Sequence, residues 1–175
     1  MLNLYPALTA SMGSWKYYIV KMAMKDIVKE VGFASEVYKD KTLDDAIQRS
    51  LNESRVKKEI VEYLARRDDR FFSSIVVAAL GGNPKFYPVT ITDDPQFALF
   101  KDQGFDDSFG VLSFDGDQKY FALDGQHRLK SIQTLVDGSE EGLPEVPQGF
   151  LQEEISVIML VRKDENEVSF LKSYR

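Results

Sequence analysis

Cysteine is absent from the chain, and histidine occurs once. Disulfides and thiolate chemistry are thereby excluded, as are zinc sites built from Cys and His. No metal site of diagnostic spacing is expected, although carboxylates could hold a Mg²⁺, which has no such spacing. Long apolar runs are missing too. No stretch reaches about 18 consecutive apolar residues, so no membrane-spanning helix is expected. The segment MLNLYPALTASMGSWK lacks the basic start and unbroken apolar run of a signal peptide. Both absences point to a cytoplasmic protein without membrane contact. There is no internal repeat and no low-complexity tract. The GxxxxGK[ST] spacing of a P-loop does not occur, and no helix-turn-helix is recognisable.

What is present suits one domain. The 175 residues are 43% hydrophobic and 12% aromatic, enough to bury a core. A single domain over residues 1–175 is expected, with its core at about 15–162. The net charge of −6 argues against a general nucleic-acid coat. That charge is uneven: residues 1–70 carry 13 Lys and Arg against 11 Asp and Glu, and residues 71–175 carry 9 against 17. A positive face is therefore available only in the first half, around Arg49, Arg55, Lys57, Lys58, Arg66, Arg67 and Arg70. It can be a DNA-facing patch or simply the solvated surface of a helix.

Residues 17–24 (YYIVKMAM) read as a strand, followed by a short helix over 25–38 interrupted at Gly32. Thr42 looks like a helix cap, and Asn52 caps a clearer helix to about Arg67, with Val56, Ile60, Tyr63 and Leu64 on one face. Strands are expected at 73–80 and 86–92, with an acidic, loop-like stretch at 93–108. Residues 109–114 and 119–123, joined at Asp115-Gly116-Asp117, read as a β-hairpin. A helix succeeds them from about Gln126 to Val136, closed by Gly138. The apolar run 154–161 should be a central strand. Asp164 and Glu167 form a capping pair for a last helix that has barely begun at Arg175, so the chain is expected to be the N-terminal fragment of a longer protein. Asp102, Asp106, Asp107, Asp115 and Asp117 read as solvated loop charge before a cation site. Phe71, Phe72, Phe86 and Tyr87 read as core aromatics before base-stacking platforms. The fold class is α/β (α+β), a mixed sheet with flanking helices.

The segment FALDGQHRLKSI concentrates polar chemistry. An apolar strand ends at Asp124, Gly125 permits a tight turn, and Gln126, His127 and Arg128 open a helix. Helix starts present unpaired N–H groups and the positive end of the dipole, which suits phosphate. Arg128 can grip phosphate oxygens, and His127 can donate to them or shuttle a proton. Asp124 can hold His127 or Arg128 in place or bind a metal ion. The plainer alternative is that Asp124 merely caps the helix while His127 and Arg128 are surface polar residues.

Asp124 to Arg128 spells the motif for which DGQHR-domain proteins are named. Upstream, Gln48-Arg49, RVKKEIVEYL and FFSSIVVAAL also resemble the N-terminal part of that domain. The chain thus resembles the DndB-like proteins over roughly residues 15–160. The resemblance implies a ParB/sulfiredoxin-like fold whose strand–turn–helix binds nucleotide phosphates. It implies a regulator attached to bacterial DNA phosphorothioation (DNA sulfur modification), within restriction–modification, that binds DNA and limits expression or modification. Nucleotide hydrolysis is associated with the family, and related members accompany deazaguanine modification systems. On this resemblance, Gly125, Gln126, His127 and Arg128 bind the nucleotide or phosphate, Gln48 and Arg49 complete the site, and Asp124 and His127 are catalytic candidates. Ser131 either reaches the same pocket or faces a neighbouring helix. ATP or another nucleotide with Mg²⁺ is the implied cofactor. Implied partners are DNA, other proteins of the modification system and a second copy of the chain. Residues beyond 175 are expected to help grip DNA. Sulfinic-acid reduction, the sulfiredoxin reaction, is excluded because it needs a cysteine. Two further readings stand beside the regulator: a nucleotide hydrolase or phosphotransferase, and an interaction module with a relic pocket.

Overall fold

The computed structural model describes residues 2–34, 54–90, 94–138 and 141–162. Strand β1 (Asn3–Met12) buries Tyr5 and Ala7 and turns Leu4, Leu8 and Met12 to solvent, the alternation of a pleated strand. A tight turn at Gly13-Ser14 returns the chain as β2 (Trp15–Ala23), antiparallel to β1. Helix α1 (Met24–Glu30) stops at Val31, which turns extended and starts β3 (Val31–Phe33). The helix expected over 25–38 is therefore shorter, because Val31 to Phe33 pair with a strand instead. Then come α2 (Ser54–Arg66), β4 (Ile75–Leu80), β5 (Lys85–Pro88), β6 (Phe109–Phe114), β7 (Lys119–Asp124), α3 (Gln126–Asp137) and β8 (Glu154–Arg162). Two short 3-10 segments, Ala98–Gln103 and Phe105–Asp107, lie in the acidic stretch. Residues 42, 48, 49, 52, 164 and 167, of which caps or site roles are expected, lie outside the described residues.

The architecture is α+β. Among the described residues, all eight strands join one mixed sheet in the order β3-β7-β4-β8-β2-β1-β6-β5. Strand β8 runs parallel to β4 and antiparallel to β2, the interior place that its apolar run calls for. Strand β1 is not expected from the sequence. Pro6 within it argues against an interior strand, yet β1 lies between β2 and β6.

The expected β6–β7 hairpin does not form. Strand β6 pairs with β1 and β5, and β7 pairs with β3 and β4. The connection from Phe114 to Lys119 can reach about 17 Å at full extension. Strands β6 and β7 stand five places apart in the sheet, about 24 Å if it were flat. The sheet must therefore curl until its two ends face each other. Ring contacts record the closure: Tyr120 of β7 meets Tyr5 of β1 at 6.3 Å and Phe114 of β6 at 5.8 Å, both edge-on. The Tyr120 hydroxyl bonds the Tyr5 hydroxyl at 3.0 Å inside the core.

Among the described residues, three helices fill the hollow of this curl. Ile27 from α1, Val61 and Leu64 from α2, and Leu129, Ile132 and Leu135 from α3 are buried against Val20, Met22, Ile75, Val77, Leu112, Phe114, Val157 and Met159. Each such side chain contributes about 2 kcal/mol on burial, so α3 is anchored chiefly by its three. A second cluster on the opposite sheet face gathers Ala78, Leu80 and Leu160, with Trp15, Tyr17, Phe121 and Leu123 packed against it.

Candidate functional site

Strand β7 ends irregularly. Ala122 pairs with Val77 and Asp124 with Val76, so Leu123 is an extra residue in the ladder. Such a bulge bends a strand and re-aims the residues beyond it. Gly125 then takes φ 83° and ψ 19°, a left-handed conformation that side chains disfavour, and α3 starts at once. No side chain caps this helix. The first turn closes when Leu129 donates its N–H to the Gly125 carbonyl at 2.9 Å. The amides of Gln126, His127 and Arg128 have no carbonyl four residues back within the helix to serve.

Asp124, Gly125, Gln126, His127 and Arg128 are thus gathered at one strand end, but with unlike exposures. The Asp124 side chain is 66% exposed and the Arg128 side chain only 20%. Arg128 folds back over Gly125 and braces the neighbouring chain. Its Nη1 donates to the Ser73 carbonyl at 2.8 Å, to the Ser74 carbonyl at 3.1 Å and to the Ser73 hydroxyl, and its Nη2 donates to Asp124 at 3.3 Å. Charged donors of this kind hold more tightly than neutral ones. A Cβ on Gly125 would lie 3.0 to 3.2 Å from that guanidinium and would press on the Arg128 brace, and the φ of 83° disfavours a side chain there in its own right. His127 and Gln126 are half-buried. Among the described residues, the Gln126 Oε1 is a buried oxygen without a hydrogen-bond partner. Ser131 is buried, and its hydroxyl donates to the His127 carbonyl at 2.8 Å, so it is spent on its own helix.

Ser73 and Ser74 are parts of the site that the sequence does not announce. Their contribution is mostly backbone carbonyls presented just before β4, which no residue-type pattern advertises. The Ser74 hydroxyl also meets the Ser156 hydroxyl at 2.7 Å, tying this segment to β8.

The basic residues expected to face DNA lie on or just after α2, which packs beside α3. Arg55 and Lys57 belong to its first turn, Lys58 is exposed, and Arg66 and Arg67 close it. Arg66 pairs with Glu62 one turn back, and Arg67 grips Asp69 through two bonds of 2.8 Å. The Arg67 guanidinium holds the Asp69 carboxyl below the usual carboxylate range. Arg70, half-buried over the Phe150 ring, pairs with Glu153, which stabilises its charge further. Much of this basic face is consequently matched by local carboxylates. Of the four aromatics, Phe72 packs on Tyr63 and Phe86 on Tyr18, whereas Phe71 and Tyr87 are exposed, contrary to the core role expected of them.

Among the described residues, no group of three or more Asp, Glu or His side chains converges as a metal site. No described helix is long and apolar enough to cross a membrane. The model of a protein family described as DndB, DNA-sulfur modification-associated, matches residues 5–169. No curated protein and no solved structure matches the chain.

Proposed function

The chain belongs to the DndB family, DNA-sulfur modification-associated, and from that premise we propose that it is a regulatory component of a bacterial DNA phosphorothioation system that binds DNA and takes a nucleotide at the Asp124–Arg128 turn. The observation that carries the nucleotide half is the uncapped start of α3 beside a buried, unpartnered Gln126 Oε1. Helix-start amides and a dipole end suit phosphate oxygens. The orphan Oε1 accepts hydrogen bonds only, so it calls for a ligand N–H or O–H. A nucleotide supplies both kinds of group, acceptors on its phosphates and N–H or O–H donors on its base and ribose.

In this reading Arg128 positions rather than grips. Its bonds to Ser73, Ser74 and Asp124 fix the height of the helix start against β4. The amides of Gln126, His127 and Arg128 receive phosphate, and the His127 imidazole donates to it or moves a proton. The exposed Asp124 carboxylate would repel a bare polyphosphate at this turn. A Mg²⁺ bound with the nucleotide would relieve that repulsion, and Asp124 would supply it an oxygen ligand. Gln48 and Arg49 complete the site in the same proposal. The DGQHR assignment and the ParB/sulfiredoxin-like fold belong to it too, as do a cytoplasmic setting and self-association.

The DNA half draws on family membership and on Arg55, Lys57, Lys58, Arg66 and Arg67 along α2. Because Arg66 and Arg67 already face carboxylates, the footprint at these residues is small, and the salt dependence of DNA retardation should be correspondingly shallow. Retardation measured at two salt concentrations, for wild type and for a Lys58→Glu variant, tests it. Equal retardation of both proteins would remove α2 from the DNA surface.

One observation favours a second reading, a nucleotide hydrolase: Asp124 and His127 stand at a single turn, with the carboxylate open to solvent. Phosphate release from ATP and Mg²⁺ that His127→Ala abolishes would establish it. Nucleotide binding without release would leave the regulator.

A further inference from the structure

The far end of β7 opens onto a second cavity, of about 500 Å³, away from the Asp124 turn. It lies at the seam where the ends of the curled sheet meet. Asn3 comes from the start of β1, Lys29 and Glu30 from the end of α1, and Gly32 from β3. Gly116 and Gln118 come from the β6–β7 crossover, and Lys119 and Tyr120 from the start of β7. The volume is far beyond one ion and suits a ligand of mononucleotide size.

Its polar groups are organised rather than scattered. Glu30 accepts from the Asn3 amide at 3.4 Å and interacts electrostatically with Tyr5, whose hydroxyl accepts from Tyr120 at 3.0 Å. A carboxylate offers about four acceptor positions, so positions beyond the one that Asn3 occupies remain for a ligand donor. Burial and the neighbouring Asp26 carboxylate push the Glu30 carboxyl up, against the pull of Lys29 and Tyr5. A ligand N–H would restore part of its lost hydration. Lys29 and Lys119 are exposed at the mouth and carry the opposite charge. The cavity is therefore bipolar, with ammonium groups at the rim and a braced carboxylate beneath. That pattern fits an organic anion bearing an amino or amide donor several ångströms from its charge.

We propose that this seam cavity binds an amino-bearing nucleoside monophosphate, its phosphate at Lys29 and Lys119 and its exocyclic or ring N–H at Glu30. The site is distinct from the Asp124 turn, since Lys119 and Asp124 stand at opposite ends of β7, about 17 Å apart by strand rise.

Calorimetric titration of the whole chain with AMP, GMP and CMP tests the proposal, with ribose 5-phosphate as the probe that lacks a base. At least one monophosphate should bind, and ribose 5-phosphate should bind at least about tenfold more weakly. Lys29→Glu and Lys119→Glu should each weaken the nucleotide by about tenfold or more, and Glu30→Gln should bring its affinity toward that of ribose 5-phosphate. Both lysines are exposed, so those variants should fold as wild type. The same titrations are made in the His127→Ala background, where the proposed turn is disabled, and the seam cavity should bind there as in wild type. Absence of binding by all three nucleotides overturns the inference. So does binding in that background that survives both lysine variants or that ribose 5-phosphate matches, and so does the loss of all binding in that background.

Discussion

Arg128 holds two pieces of chain together with one guanidinium, and removing it leaves two carbonyls and a serine hydroxyl short of a donor. Arg128→Ala should lower stability by about 1 kcal/mol, because Ser73 is exposed and water can replace part of what the guanidinium supplies, while the Ser74 carbonyl is half-buried. Arg128→Lys should recover little, since one ammonium cannot reproduce the planar fork. Urea denaturation midpoints of the three proteins decide it; a lysine variant as stable as wild type would contradict the bracing role. Glu30 gives a pH test. Its carboxyl is raised chiefly by burial, so folding favours its protonated form. The stability it lends is present below the ordinary carboxylate range and is lost as pH rises through its folded value. The stability difference between Glu30→Gln and wild type should therefore shift in favour of the variant between about pH 4 and about pH 7. A difference independent of pH would mean that Glu30 is solvated like a surface acid. At this scale the sequence was legible at the motif itself, because strand, glycine and helix start sit side by side along the chain. The brace was not, because Ser73 lies 55 residues from Arg128 and gives mainly its backbone.

Elements were easiest to read where burial leaves a period. Strand β8 and helices α2 and α3 follow from apolar runs or stripes, and Gly138 ends α3 in the left-handed conformation with its N–H on the Thr134 carbonyl. Strand β1 was hidden by Pro6. The β6–β7 pair misled for a different reason: two strands with a short turn-like link normally form a hairpin, and only the pairing of β6 with β1 and β5 reveals a crossover. Two glycines make that arrangement possible. A Cβ at Gly110 would stand 2.1 Å from the Tyr87 carbonyl oxygen, and one at Gly82 would stand 2.6 Å from the Gln118 Cβ. Gly110→Ala should therefore force β5 off β6 and cost about 3 kcal/mol, at the upper end of overpacking effects. Gly82→Ala should strain both the β4–β5 turn, at φ +69°, and the crossover it touches. Thermal midpoints within a degree or so of wild type for both variants would refute the close approaches described here.

At the level of the whole molecule, the curled sheet exposes strand β7 at both ends and places different chemistry at each. One end is the bulged turn into α3; the other is the polar seam where β1, β3 and the crossover meet. The charge pattern of the chain offered no hint of this division, since the acidic second half contains both the turn and part of the seam. Closure of the sheet depends on pairings that no local pattern encodes, whereas the α+β class did emerge from the mix of apolar runs and helical stripes. If the start of α3 receives nucleotide phosphate, an amide NMR titration of the whole chain with ATP and Mg²⁺ should show it. The largest shifts should fall on Gly125, Gln126, His127 and Arg128 and saturate together. Shifts centred elsewhere, or none at saturating nucleotide, would rule out phosphate binding at this helix start.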